Sequence, residues 1–242
     1  MQFETKERYT IEDFLGIMEI LRSPEGCPWD REQTHRSIRN NLIEETYEAV
    51  EAIDTGDAEL LQEELGDVLL QVVFHSMLEK EAGSFDFSDV VDGVSKKMIL
   101  RHPHVFGDLS VQNTEEVLKN WEAIKMKSHG RTSAAEALES VSRALPSLMR
   151  SQKVFRRASK DAGRKAESGS AVQHLDAALC GAQKLSALSE ETERLLSVGG
   201  LLFYAAGLAE SLNVEAEQAL TVFCDDYIRR FKEQAATVPD PE

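Results

Sequence analysis

Four carboxylates have the spacing to do chemistry in this chain: Glu45, Glu48, Glu64 and Asp67. They form two pairs, Glu45-x-x-Glu48 and Glu64-x-x-Asp67. A spacing of three puts both members of a pair about 60° apart on one helix face. Between the pairs lies Asp54-Thr55-Gly56-Asp57, which is turn chemistry, with Asp57 set to cap a second helix. Apolar residues recur at helical spacing on both flanks: Ile38, Leu42, Ala49 and Ile53, then Leu61, Leu65, Val68, Leu69 and Val72. The stretch therefore reads as an antiparallel helical hairpin. Residues at one level of such a hairpin share an index sum. Glu45 with Asp67 and Glu48 with Glu64 both give 112, centred on Gly56. All four acids are expected at one level, roughly 15 Å from the turn at the helical rise per residue.

Carboxylates gathered in this way repel one another, and burial raises their pKa values. A hard divalent cation removes the conflict. A set of oxygen ligands alone favours Mg²⁺, with Mn²⁺ as a substitute, over zinc. Glu44 adds a fifth carboxylate about 100° round the helix from Glu45. It is placed for a second metal or for an outer-shell base, so Glu44 and Glu45 are the candidate catalytic carboxylates. The competing reading is a solvated acidic face. Apolar flanks and matched register weigh against it. A carboxylate-bridged di-iron bundle needs two Glu-x-x-His motifs, and only Glu32 to His35 fits, about three turns from the acids.

The formal charge of −16 opposes loose binding to nucleic acid or to anionic membranes. It does not oppose a nucleotide whose phosphates meet a metal and a few local cations. Cys27, Cys180 and Cys224 are far apart and odd in number, which suits a reducing compartment. The N-terminal residues have no apolar signal core, and the most apolar run, 198 to 209, is too short for a span. A soluble cytoplasmic protein is the expectation.

Every patterned segment is helical, so the fold class is all-α. Thr10 with Asp13 caps a first helix lined by Ile11, Phe14, Leu15, Met18 and Leu21. Asp30 with Gln33 resembles a capping box opening the first hairpin helix, and Trp29 beside it reads as core. The second hairpin helix stops at Gly83. A helix from Ser88 or Asp89 runs to Arg101, the loop 102–108 follows, and another helix covers 114–127. His102 and His104 read as caps or hydrogen-bond partners. Residues 128–140 form a linker around Gly130. Beyond it, helices are expected at about 136–145, 146–160, 170–187, 191–211 and 214–233, with a loop at 161–170.

The second half repeats the first. Ser197-Val198-Gly199-Gly200-Leu201-Leu202 aligns with Glu64-Leu65-Gly66-Asp67-Val68-Leu69, and Leu175 to Cys180 aligns with Ile43 to Glu48. The four acid positions become Ala177, Cys180, Ser197 and Gly200, which are poor ligands for a hard cation. The expected organisation is a catalytic domain over 1–127, the linker, and a degenerate second copy over 141–242.

Taken together, Gly26-Cys27-Pro28-Trp29-Asp30, Glu44-Glu45-x-x-Glu48, Glu64-x-x-Asp67 and Arg101-His102-Pro103-His104-Val105-Phe106-Gly107-Asp108 resemble the MazG family of nucleoside triphosphate pyrophosphohydrolases. The resemblance implies an all-α pyrophosphatase fold related to dimeric dUTPases. It also implies Mg²⁺-dependent hydrolysis of nucleoside triphosphates to monophosphate and pyrophosphate, and a homodimer. It assigns metal binding to Glu45, Glu48, Glu64 and Asp67, and nucleotide contacts to Asn41, Lys97, Arg101 and Trp121. Asn41 departs from the Lys found in some members, and the second copy lacks acids that tandem members often keep. The alternative function is a non-catalytic helical adaptor with an acidic binding face.

Overall fold

A computed structural model describes residues 4–128, 133–161, 190–236 and seven positions between 172 and 180. Among the described residues all regular structure is helical. The chain divides into two compact units, Met1–Lys125 and Met126–Glu242.

In the first unit, α1 (Ile11–Arg22) opens with the expected capping box between Thr10 and Asp13. A short α2 (Pro28–Glu32) starts with proline at its first position, where the missing amide costs nothing. The Asp30–Gln33 capping box does not form. Gln33 ends α2 instead, and its side chain donates to the Trp29 carbonyl at 2.9 Å. Residues 33–38 make a bend, closed by Ser37 Oγ donating to Gln33 Oε1 at 2.7 Å. The hairpin helix α3 (Arg39–Thr55) therefore starts later than the spacing suggests. Trp29 is 60% exposed, so it is not core.

The hairpin turn follows the sequence closely. Gly56 takes the left-handed conformation at φ 71°, which a side chain disfavours. Asp57 Oδ1 then accepts from the amides of Glu59 and Leu60 at 3.1 and 3.0 Å and opens α4 (Ala58–Ala82). Ala49 and Ala52 of α3 are buried, small enough to let the two helices approach. The core of the unit joins Val73, Phe74 and Met77 of α4 to Met18 of α1 and Ile38. Arg22 of α1 grips Glu81 through two 2.6 Å bonds and lies 5.2 Å over the Phe74 ring. Gly83, also left-handed, ends α4.

Helix α5 (Phe87–Arg101) begins two residues earlier than Asp89, because Asp86 and Asp89 form the capping box. The expected loop at 102–108 contains a single turn, α6 (Pro103–Phe106). His102 sits between the two helices, its Nδ1 2.7 Å from the Met98 carbonyl, in the capping role the sequence suggested. Helix α7 (Thr114–Ser128) is the last to begin in this unit, and its final three residues fall past the unit boundary.

The second unit contains α8 (Ala134–Glu139), α9 (Ser147–Asp161), α10 (Glu191–Ser211) and α11 (Ala216–Ala236). Helix α8 is shorter than the expected 136–145 and closes at Ser140. The buried Gln152 of α9 clamps the turn before α11: its amide donates to Val214 O and its Oε1 accepts from Ala216 N, both at 2.8 Å. Gly207 packs so tightly on the Phe155 ring that a Cβ would meet it at 2.6 Å. The described residues within 172–180, including Ala177 and Cys180, are helical, whereas the expected 161–170 loop lies outside the described residues apart from Asp161, the last residue of α9. Among the described residues no single helix is long and apolar enough to cross a membrane. The bent pair α10–α11 passes that test only when its two arms, 103° apart, are taken together.

Candidate metal centre

Glu45 and Glu48 project from α3, and Glu64 projects from α4 to meet them. Each offers a carboxylate oxygen, and the three oxygens lie within 4.8 Å of one another. The hairpin register explains this: the Gly56 turn fixes which residues face each other, and the three-residue spacing stacks the acids. Asp67 stands outside that tight group. It is still close enough for its charge to raise the pKa of both Glu45 and Glu64.

The electrostatics are those of an acid group without a counter-charge. The Glu45 carboxyl is pushed up first by desolvation, then by the charge of Asp67, a hydrogen bond with Glu48 and the charges of Glu48 and Glu64. Glu64 is pushed up first by desolvation, then by Glu48, Asp67 and Glu63. A hydrogen bond between two carboxyls needs a proton on one of them. The buried Glu64 Oε2 has no hydrogen-bond partner. An orphaned buried oxygen, mutual repulsion and an oxygen-only donor set all fit a hard divalent cation. Glu44 is exposed and outside the group.

The remaining candidates fall on other elements. Asn41 is half-buried in the first turn of α3, and Lys97 is exposed on α5. Arg101, one turn beyond Lys97, is buried, with its guanidinium 5.1 Å over the Trp121 ring. The Lys125 ammonium stands at the same distance from that ring. Trp121 thus gathers two cations. Lys125 escaped sequence reasoning, although its spacing of four from Trp121 on one helix was a usable signal. His35 does not reach the acids: it meets His75 and Glu79 of α4.

Fold and site together define an all-α protein whose helical hairpin carries a carboxylate centre suited to a metal ion. Comparison with known proteins narrows this. Residues 33–106 match the MazG nucleotide pyrophosphohydrolase domain, a span holding all four acids, Asn41, Lys97 and Arg101 but not Trp121. The chain is 40% identical over 228 residues to the nucleoside triphosphate pyrophosphohydrolase of Escherichia coli K12, covering 92% of this chain and 86% of that protein. It is 38% identical over 221 residues to the nucleoside triphosphate pyrophosphohydrolase/pyrophosphatase MazG of Thermotoga maritima, covering 91% and 84%. Among solved structures, a mazG-related protein from Thermotoga maritima is similar at 28% identity with a TM-score of 0.41, covering 48% of this chain and 98% of that one. This chain belongs to the MazG family.

Proposed function

We propose that this chain hydrolyses nucleoside triphosphates between the α and β phosphates, releasing a nucleoside monophosphate and pyrophosphate. The observation that carries the reading is the convergence of Glu45, Glu48 and Glu64 within 4.8 Å across the hairpin. Its similarity to the nucleoside triphosphate pyrophosphohydrolases of Escherichia coli and Thermotoga maritima supports it. Glu45, Glu48, Glu64 and Asp67 would hold Mg²⁺ or, in its place, Mn²⁺, which would supply charge neutralisation at the phosphates and a more acidic water. The protein's own part is positioning and charge. Glu44 or Glu45 accepts the proton of the attacking water. Lys97 and Arg101 bind phosphate oxygens, the arginine in two-pronged fashion. Trp121 holds the Arg101 guanidinium in place, and Asn41 contacts the nucleotide.

Three wider assignments accompany this reading. The chain works as a homodimer, supported by the exposed Ile43, Tyr47 and Val50, which share the side of α3 away from Glu45 and Glu48. It is organised as a catalytic domain over 1–127, a linker over 128–140 and a degenerate second copy over 141–242, without acids at Ala177, Cys180, Ser197 and Gly200. It acts in the cytoplasm, where its free cysteines stay reduced.

The test is product identification. The chain with Mg²⁺ and a panel of nucleoside triphosphates is expected to yield monophosphate and pyrophosphate without orthophosphate. Glu48→Gln and Asp67→Asn are each expected to cut turnover more than about a hundredfold while keeping the helical circular dichroism. Undiminished turnover in both variants overturns the metal assignment. No turnover of any triphosphate by the parent chain points to an acidic adaptor instead.

A further inference from the structure

A second polar device lies on the same helix as the acids, further from the turn. Glu64, Asp67, Gln71 and His75 recur along α4 within about 80° of arc, one continuous stripe. Three buried polar atoms on this stripe have no hydrogen-bond partner: Glu64 Oε2, Gln71 Oε1 and His75 Nε2. At the far end His75 meets His35, which comes from the bend between α2 and α3. The two Nδ1 atoms are 2.7 Å apart, and the rings are nearly parallel, 2° between planes. His35 Nε2 lies 2.9 Å from Glu79 Oε1, one turn beyond His75.

Proton accounting restricts what this arrangement can hold. Two ring nitrogens at 2.7 Å need one proton between them, since one must donate and the other accept. In the neutral pair, His75 Nδ1–H donates to His35 and His35 Nε2–H donates to Glu79. With one more proton, His35 becomes an imidazolium that donates to both neighbours. A further proton sets N–H against N–H and breaks the contact. Burial and the His35 charge both oppose that last proton, holding His75 below the ordinary histidine range.

We propose that His35, His75 and Glu79 form a proton-sharing latch that ties residues 33–38 to α4 at neutral pH and opens when both imidazoles are protonated. The segment it holds leads directly into α3, which carries Glu45 and Glu48. Ile38, buried in the core beside Met18 and Val73, stays anchored when the latch opens. The motion is therefore local to 33–37, just ahead of α3. The neighbouring charges have partners of their own. Lys80 of α4 pairs with Glu19 of α1 and feels Asp86 ahead of α5, and Glu81 pairs with Arg22 of α1. On α2, Arg31 donates to the Pro24 carbonyl, and at the start of α3 Arg39 donates to Asn40. Glu32 and Arg36 are exposed beside the bend. Glu79 is thus the carboxylate facing His35.

The folded state takes up the last proton less readily than the unfolded chain does. Closure is intact above the ordinary histidine value of about 6.5 and is lost as pH falls below it. The test is hydrogen exchange of amides 33–38 in the full chain from pH 7.5 to 5.0, corrected for intrinsic rates. Opening is expected to become about tenfold more populated per unit of pH in the titrating range. His75→Asn and His35→Asn are each expected to abolish that dependence. Glu64→Gln, which alters the acid centre instead, is expected to keep it. A parallel NMR titration of the parent chain, needing no variant, is expected to show the two rings titrating in separate, coupled steps. Flat exchange across this pH range, independent titration of the rings, or an unchanged pH response in His75→Asn overturns the latch. So does one tightly bound Zn²⁺ per chain that shifts both histidine resonances, which makes the pair a metal site.

Discussion

Glu64 shows what a carboxylate costs when it sits among other acids without a counter-charge. Its pKa is raised, so the folded chain keeps a proton that the unfolded chain gives up. The resulting stability is present below the ordinary glutamate value of about 4.3 and is lost as pH rises through the raised folded value. Glu45 behaves alike. The metal-free protein is therefore expected to lose stability as pH climbs from about 4.5 towards neutral, and Mg²⁺ to restore it. Glu64→Gln removes the repelling charge but also a proposed metal ligand. It is expected to raise the metal-free melting temperature at pH 7.5, to cancel the upward shift caused by Mg²⁺, and to lower turnover more than about a hundredfold. Thermal melts at pH 4.5 and 7.5, with and without Mg²⁺, check all but the last of these. A Glu64→Gln chain less stable than the parent without metal would show that the carboxylate is not in conflict there. The acid group was legible in the sequence because its residues come from one hairpin, where index arithmetic suffices. Lys125 beside Trp121 and the pairing of His35 with His75 were not singled out. The first spans one helical turn, but neither residue stands in a motif. The second joins a bend to the far end of α4, which no local pattern reports.

At the scale of elements, caps were read well where one residue had no competitor. Gly56 and Gly83 end their helices in the left-handed conformation, and Thr10, Asp57 and Asp13 serve as their types require. The errors arose where two signals overlapped. Asp30 and Gln33 have capping-box spacing, yet Pro28 starts the turn earlier and Gln33 closes it, so α3 begins only at Arg39. Ser88 or Asp89 reads as the start of α5, but Asp86 with Asp89 makes the two-way bonds and the helix begins at Phe87. Residue type alone places Trp29 in the core, yet it lies exposed on the five-residue α2. The hairpin turn sets the acid register, so its caps should matter for both stability and activity. Gly56→Ala is expected to cost about 1–2 kcal/mol, since it forces a side chain into the left-handed region. Asp57→Ala is expected to cost about 1 kcal/mol. Urea unfolding gives these values. A Gly56→Ala chain with unchanged stability and unchanged Mg²⁺-dependent turnover would mean the turn is not what aligns Glu45 and Glu48 with Glu64.

For the whole molecule, charge and apolar surface pull in opposite directions, and association decides between them. Ile43, Tyr47 and Val50 are 40%, 52% and 45% exposed and form a stripe on the outer side of α3. Leu65 and Leu69 add exposed apolar surface on α4. A stable dimer covers about 800 Å² on each partner, within reach of two helices of this length lying on a second copy. Pairing two chains also brings together two formal charges of −16, which repel through low-salt solvent. The two terms respond differently to salt: screening weakens the repulsion and leaves burial almost untouched. The proposed homodimer is therefore expected to tighten as ionic strength rises from about 0.01 to about 0.15 M, opposite to an association built on surface ion pairs. Val50→Lys places a charge inside the stripe and is expected to give a monomer at micromolar concentration. Its Mg²⁺-induced rise in melting temperature should persist, because the acids lie on the other side of α3. Sedimentation at two salt concentrations reads both effects. A parent chain that stays monomeric at high salt, or a Val50→Lys chain that dimerises as tightly as the parent, would assign the stripe to some other contact.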